Sequence, residues 1–165
     1  MSNAAQYEVL FDLAGSAYEP PASVIVWAAV LSAISLASLV SASGRWHLAP
    51  ALAVFAVVAF AAMTISVHHR DYTKMRSAVE GGNAAVVEGM VRDFRPDAAT
   101  GNGFESFAVA TQRFVIRHHE ITPAFRQTVG VGGPDLTNKC VRVRFVHDQG
   151  VVRIVWLGIK RDGCS

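Results

Sequence analysis

Charge is missing from two long stretches of this chain. Residues 23–43 and 47–67 form two apolar runs, and Arg45 between them is the one charged residue of the whole region. A soluble helical pair would carry a polar stripe at every third or fourth residue, and neither run has one. The absence of Asp, Glu, Lys and Arg within the runs also argues against a transport pathway through them.

Basic residues are missing from the leader as well, and this argues against a cleaved signal peptide. Residues 1–22 contain Glu8, Asp12 and Glu19 but no Lys or Arg, and the first apolar run is too long for a signal sequence. A helix of about 20 residues spans the roughly 30 Å hydrocarbon core of a bilayer. The pattern therefore predicts a transmembrane helical hairpin over residues 23–69, in contact with the lipid bilayer.

Beyond the hairpin, the periodicity changes from helical to strand-like. The sequence predicts a juxtamembrane linker over residues 70–83 and a β-domain over residues 84–165, with Gly89 as a candidate bulge and one short helix over residues 122–127. The predicted strands cover residues 84–94, 104–110, 112–118, 139–147 and 151–160. This order is that of a small five-stranded OB-like β-barrel, so the predicted fold class is an α+β membrane protein.

The N-terminal tail, residues 1–22, contains a short strand-like segment over residues 6–13. A lone strand is not stable, so this segment must pair with the β-domain of its own chain or with a second subunit. The tail is acidic, and the net charge of +2 therefore leaves the C-terminal part mildly basic. That surplus suits an anionic membrane surface and is too small to indicate nucleic acid.

Basic residues near the helix ends predict the orientation. Arg45 stands alone in the connecting loop, whereas Arg70, Lys74 and Arg76 follow the second helix, which favours cytoplasmic placement of both termini. The predicted localisation is thus a multi-pass protein of a bacterial inner membrane. The two cysteines, Cys140 and Cys164, are far apart in the predicted register and are expected to be free thiols.

Three arginines are the candidate binding residues. If Val146 pairs with Val151 in the last hairpin, one side is apolar and the other gathers Arg142, Arg144 and Arg153, with Arg144 opposite Arg153. Facing like charges are unfavourable unless they are solvated or offset by an anion. The pattern predicts either a solvated face or a site for an anion, a lipid headgroup or an acidic partner.

Catalytic and metal-binding patterns are weak throughout the chain. Adjacent residues, as in His68-His69 and His118-His119-Glu120, point apart on a strand or helix, so neither group makes a chelating face without help from elsewhere. The Gly132-Gly133-Pro134 loop lacks the Lys and the helix of a phosphate loop, and no Ser or Cys has an activating motif. We therefore predict no catalytic residue, no metal and no cofactor.

Several segments together carry a family resemblance: YEVLFDL near the N-terminus, the apolar pair, VVEGMVRDFRP, ESFAVATQRF and the VGGP loop. This combination resembles a group of small uncharacterised bacterial inner-membrane proteins with a C-terminal β-rich domain. The resemblance implies a bacterial source, and it supplies no activity or ligand.

Two function classes remain. The first is a membrane-anchored, non-enzymatic binding or assembly module that presents the β-domain to a protein partner, a lipid or a second copy. The alternative is a membrane-tethered binder of single-stranded nucleic acid or another anion, although nucleic acid is the less favoured partner. Its stacking rings would be Phe94, Phe104, Phe107 and Phe114, among Arg92, Arg95 and Arg113.

Overall fold

The computed structural model describes residues 6–20, 22–41, 48–97, 103–148 and 150–164. They contain two α-helices, α1 (Ala22–Ser41) and α2 (Leu48–Glu80), and six strands, so the α+β class is confirmed. The strands are β1 (Tyr7–Asp12), β2 (Ala85–Arg95), β3 (Phe104–Val109), β4 (Gln112–Arg117), β5 (Cys140–Asp148) and β6 (Val151–Lys160). The chain divides into two compact units: Tyr18–Asp71, and Met1–Ala17 together with Tyr72–Ser165. We call the second of these the β unit.

All six strands belong to one antiparallel sheet in the order β1-β6-β5-β2-β3-β4. The five predicted strands all form, but the sheet is six-stranded and open, so a closed five-stranded barrel is not confirmed. The sixth strand is β1, which pairs with β6 of the same chain, with Tyr7 opposite Lys160 and Asp12 opposite Trp156. Of the two alternatives left open for the N-terminal segment, the structure shows pairing within the chain.

Buried apolar and more exposed polar side chains alternate along the strands, and the buried ones form the core on one face of the sheet. On β5, Val141, Val143 and Phe145 are buried, while the arginines between them are half-buried. The fully buried Phe107 and Phe114 from the β3–β4 hairpin stack against each other with ring centroids 5.2 Å apart. Each such side chain stabilises the fold by about 1.5–3 kcal/mol through burial of apolar surface.

Among the described residues one helix, α2, is long and apolar enough to cross a membrane, with a mean hydropathy of 2.2 in its most apolar window. It continues through the predicted linker to Glu80 and ends where Gly81 and Gly82 follow, with Gly82 at φ 72°. α1 is apolar, but its described side chains form only a shorter apolar segment, Ala22–Ile34. The connection between the helices, residues 42–47, lies outside the described residues, so the two-span hairpin is not confirmed.

Cys140 and Cys164 form a disulfide, with their Cα atoms 5.4 Å apart, so the expectation of two free thiols is wrong. The register explains the difference. Val141 lies opposite Ile159, which places Cys140 beside the end of β6. A turn after Lys160, with Gly163 at φ 72°, then returns the tail to Cys140.

Two further local predictions are corrected. The short helix over residues 122–127 does not form, because the Phe125 N–H donates to the Ile154 carbonyl at 2.9 Å and holds this segment against β6. A single 3-10 turn follows at Val129–Val131. Gly89 pairs regularly with Val141, and the irregularity in β2 lies instead between Arg92 and Arg95, where Asp93 has φ 50°.

Candidate binding groove

The three predicted arginines do not converge. Arg144 lies opposite Trp156 and Arg153 lies opposite Val146, with a register shift between Arg144 and Phe145. The predicted pairing of Arg144 with Arg153 is therefore wrong. Its cause is the turn, where Asp148 rather than Val146 lies opposite Val151, which moves β6 along β5 by two residues; the shift at Arg144 adds a third.

Arg142 and Arg144 are held by partners within the β unit. The Arg142 guanidinium lies over the Tyr7 ring, 5.8 Å from its centroid, where a cation is attracted by the ring electrons. Arg144 donates to the carbonyl of Val79 at 3.1 Å, in the last turn of α2. A cation at a helix C-terminus is favourable because the unsatisfied carbonyls carry partial negative charge. Both contacts tie the sheet to its neighbouring elements.

Arg153 instead lines a groove between β4 and the first half of β6. These strands are not neighbours in the sheet, so the sheet must curl to bring them to one groove. The connecting segment after β4 supplies the rest of the lining. The lining residues are Val115, Ile116 and Arg117 of β4, Glu120, Thr122, Ala124 and Phe125 of that segment, and Val152, Arg153 and Ile154 of β6.

The charged wall of the groove is an ion pair. Arg153 Nη2 lies 2.6 Å from Glu120 Oε1, and the two side chains are 18% and 31% exposed. The hydrogen bond from Arg153 lowers the pKa of Glu120 against the opposing effect of burial, and the charges of Arg153, Arg117 and His119 lower it further. Sequence reasoning did not place Glu120 and Arg117 beside Arg153. Arg117 ends β4 and Glu120 follows it, whereas Arg153 belongs to a different hairpin, so no spacing along the chain relates them.

A second polar cluster is buried at the same, open end of the β3–β4 hairpin, where Glu105 lies opposite Ile116. The carboxyl groups of Glu105 and Asp97 are buried. Glu105 accepts a hydrogen bond from the Val129 N–H at 2.9 Å, and Asp97 accepts one from the Thr128 hydroxyl at 3.1 Å. Burial raises the pKa of Glu105, the hydrogen bond from Val129 opposes this, and the charges of Asp97 and Asp135 raise it again. These contacts anchor the loop at residues 128–129 to β3 and to Asp97, which follows β2.

The phenylalanines divide between core and surface. Phe107 and Phe114 are buried, and Phe94 packs partly against the core, whereas Phe104 is exposed. Buried rings cannot stack on nucleotide bases without opening the fold. Two of the four rings required by the nucleic-acid alternative are thus in the core.

The histidines do not assemble a metal centre among the described residues, where no group of three or more His, Cys, Asp and Glu side chains is placed to hold an ion. The rings of His68 and His69 both contact Tyr18, at 5.6 and 4.9 Å between centroids. Glu120, which follows His118-His119, pairs with Arg153 in the groove.

Comparison of the chain with known protein families, characterised proteins and solved structures finds no match.

Proposed function

We propose that this chain is a membrane-anchored, non-enzymatic binding or assembly module that presents its β unit at the membrane surface to a protein or lipid partner. The observation that carries the proposal is the exposed apolar surface of α2. Four large apolar side chains of α2 are each more than 60% exposed: Leu52, Phe55, Phe60 and Met63. In the most apolar stretch of this helix, 11% of the residues are buried. An apolar surface of this size calls for lipid or protein to cover it.

The sheet supports a second crossing by α1. β1 precedes both helices, β2 to β6 follow them, and all six strands belong to one sheet. If α2 alone crossed the membrane, β1 and β6 would lie on opposite sides and could not pair. An even number of crossings between β1 and β2 is required, and α1, with 20 residues of apolar sequence, is the segment suited to provide the second.

The disulfide bears on orientation. Arg70, Lys74 and Arg76, which follow the apolar run of α2, outnumber Arg45 by three to one, which predicts cytoplasmic termini, but the margin is small. A disulfide with one exposed partner, Cys164, does not persist in a reducing cytosol. We therefore place the β unit on the oxidising side of the membrane, outside the cytoplasm.

The anchoring proposal is tested by washing membranes at alkaline pH and at high salt. The full chain is expected to stay in the membrane pellet, because its apolar helices lie in the bilayer. The double variant Phe55→Lys/Phe60→Lys should be lost from the pellet, since a Lys at the centre of a span costs about 2.5–3.5 kcal/mol.

Val151→Lys is the matched control for added positive charge, because Val151 is an exposed residue of β6 in the β unit. It should leave membrane retention unchanged. Release of the parent chain by the alkaline wash would contradict anchoring.

A further inference from the structure

Three arginines share one face of the sheet where β2, β3 and β4 lie side by side. Arg92 of β2 and Arg113 of β4 are both direct partners of Ala108 in β3, and Arg95 is the direct partner of Ser106. Direct partners in an antiparallel sheet have their side chains on the same face, and so do residues two apart on a regular strand. All three arginines therefore project from the face that carries Ala108 and Ser106. We call the surface formed by these three side chains the arginine face.

The irregularity in β2 is what brings Arg95 to this face. Arg92 and Arg95 are three residues apart, whereas their partners on β3 are two apart. In a regular strand a spacing of three would place the two side chains on opposite faces. The extra residue of the bulge restores a common face, and Asp93, with φ 50°, lies within the bulge. The bulge thus brings the positive charges of β2 together.

The arginine face is exposed, and its charge is not neutralised. Among the described residues, none of the guanidinium groups of Arg92, Arg95 and Arg113 forms an ion pair or a side-chain hydrogen bond. Asp93 is exposed in the bulge, and a surplus of positive charge remains when it is counted. Arg117 is different, because it lines the groove and its charge lowers the pKa of Glu120 there.

Apolar side chains are exposed beside the arginines. Phe104, two residues before Ser106 on β3, is 58% exposed, and Met90 of β2 and Val115 of β4 are 48% and 42% exposed. Ser106 itself is buried, so a ligand would meet the longer side chains around it. Basic side chains beside an exposed aromatic ring suit the surface of an anionic bilayer, which offers phosphates and apolar chains close together.

We propose that the arginine face binds the headgroups of anionic phospholipids. The inference rests on the proposed function and names lipid as the partner of the β unit. A guanidinium group binds phosphate oxygens with two parallel N–H donors, and Phe104 supplies an apolar contact beside them. Single-stranded nucleic acid fits this surface less well. It needs several rings on which successive bases stack, and of the four phenylalanines considered for that role Phe104 alone is exposed.

The test follows the arginine face by NMR spectroscopy of the full chain in a nonionic detergent. The anionic lipid dioctanoyl phosphatidylglycerol is titrated into one sample, and the zwitterionic dioctanoyl phosphatidylcholine into another. The Nε–H signals of Arg92, Arg95 and Arg113 should shift with the anionic lipid and should not shift with the zwitterionic one. Inorganic phosphate should bind more weakly than the anionic lipid, because it has no apolar chain to contact Phe104.

Two variants separate the electrostatic and apolar contributions. Arg92→Gln/Arg95→Gln/Arg113→Gln should bind the anionic lipid more weakly, by about fivefold for each cation removed. Added salt should reduce this difference from the parent, because the attraction is electrostatic. Phe104→Ser should weaken binding at low and at high salt alike, since its contact is apolar.

A matched control removes the same charge from exposed basic residues outside β2, β3 and β4, as Arg126→Gln/Lys139→Gln/Arg161→Gln. It should bind the anionic lipid as the parent does. Circular dichroism checks that both triple variants keep their β structure. If the variant of the arginine face does not, Arg113→Gln alone takes its place, with the signals of Arg92 and Arg95 as the measurement.

Equal shifts of the arginine signals with the two lipids, or equal affinity of the parent and the arginine variant for the anionic lipid, would overturn the inference. Stronger binding of a single-stranded oligonucleotide or of polyglutamate to these arginines would also overturn it and would assign the face to nucleic acid or to an acidic protein. Membrane retention is read separately. A parent chain that resists the alkaline wash but shows no preference for the anionic lipid overturns this site and leaves the anchoring proposal standing.

Discussion

At the scale of single residues, Arg153 and Glu120 are the pair on which the groove depends. Arg153→Gln leaves the Glu120 carboxylate half-buried without its cation, so we expect the free energy of unfolding to fall by about 1–2 kcal/mol. Arg153→Gln/Glu120→Gln should cost less than the sum of the two single changes. The measurement is thermal unfolding of the full chain in detergent, arranged as a double-mutant cycle. Additive costs would show that the two side chains are not coupled.

The Arg153–Glu120 pair also predicts that the stability of the fold depends on pH. Because the pKa of Glu120 in the folded chain is lowered from its ordinary value of 4.5, its ionised form stabilises the fold. That contribution is complete above pH 4.5 and is lost as the pH falls through the lowered folded pKa. The parent should therefore lose more stability than Glu120→Gln in this acidic range. The pKa of Glu105 is raised, so its effect on stability has the opposite dependence on pH. Because both the parent and Glu120→Gln contain Glu105, the difference between their stabilities isolates Glu120.

At the scale of elements, β1 is fixed by the side chains at its ends. Leu13, 1% exposed, directly follows the strand, and its N–H donates to Val155. Leu13→Ala should lower the free energy of unfolding by about 2–5 kcal/mol, because it leaves a cavity in the β unit. Val9→Ala, at an exposed site of the same strand, is the matched control and should change it by less than about 0.5 kcal/mol. Equal effects in thermal unfolding would mean that β1 is not docked through Leu13.

The strands were predictable and their register was not. Alternation and turn residues place β3, β4 and β6 within one residue of their observed ends, because both signals are local. The pairing of β5 with β6 depends on a tight turn and on the shift after Arg144, and the apolar pattern does not specify either. The wrong register placed Arg144 opposite Arg153 in the prediction. Of the three predicted arginines, Arg153 is the one that lines the groove.

The end of α2 shows the same limit. Its last three turns are polar on one side and place Tyr72, Met75 and Val79 on the buried side, so the sequence after the apolar run looks like a linker until the sheet is present. Lys74 pairs with Asp148 at 2.6 Å across 74 residues of sequence. Tertiary packing rather than helix propensity extends this helix.

At the scale of the whole molecule, the disulfide and the sheet constrain the path that the chain would take through a membrane under the proposed anchoring. The disulfide was missed because it depends on the turn after Lys160, which cannot be located until the register of β6 is known. β1 and β6 belong to one sheet, so the N-terminal and C-terminal segments must lie on the same side. The position of either one then determines that of the other.

The orientation is therefore testable with fusions at two points. A reporter enzyme that is active only outside the cytoplasm should be active when fused after Ser165, because the Cys140–Cys164 disulfide needs an oxidising compartment. The same reporter fused after Arg45 should be silent, since in the proposed arrangement one crossing separates the connecting loop from the β unit. In intact cells, a thiol reagent should label Cys140 and Cys164 only after reduction. A silent fusion after Ser165, together with labelling without reductant, would place the β unit in the cytoplasm, as Arg70, Lys74 and Arg76 after the apolar run predict.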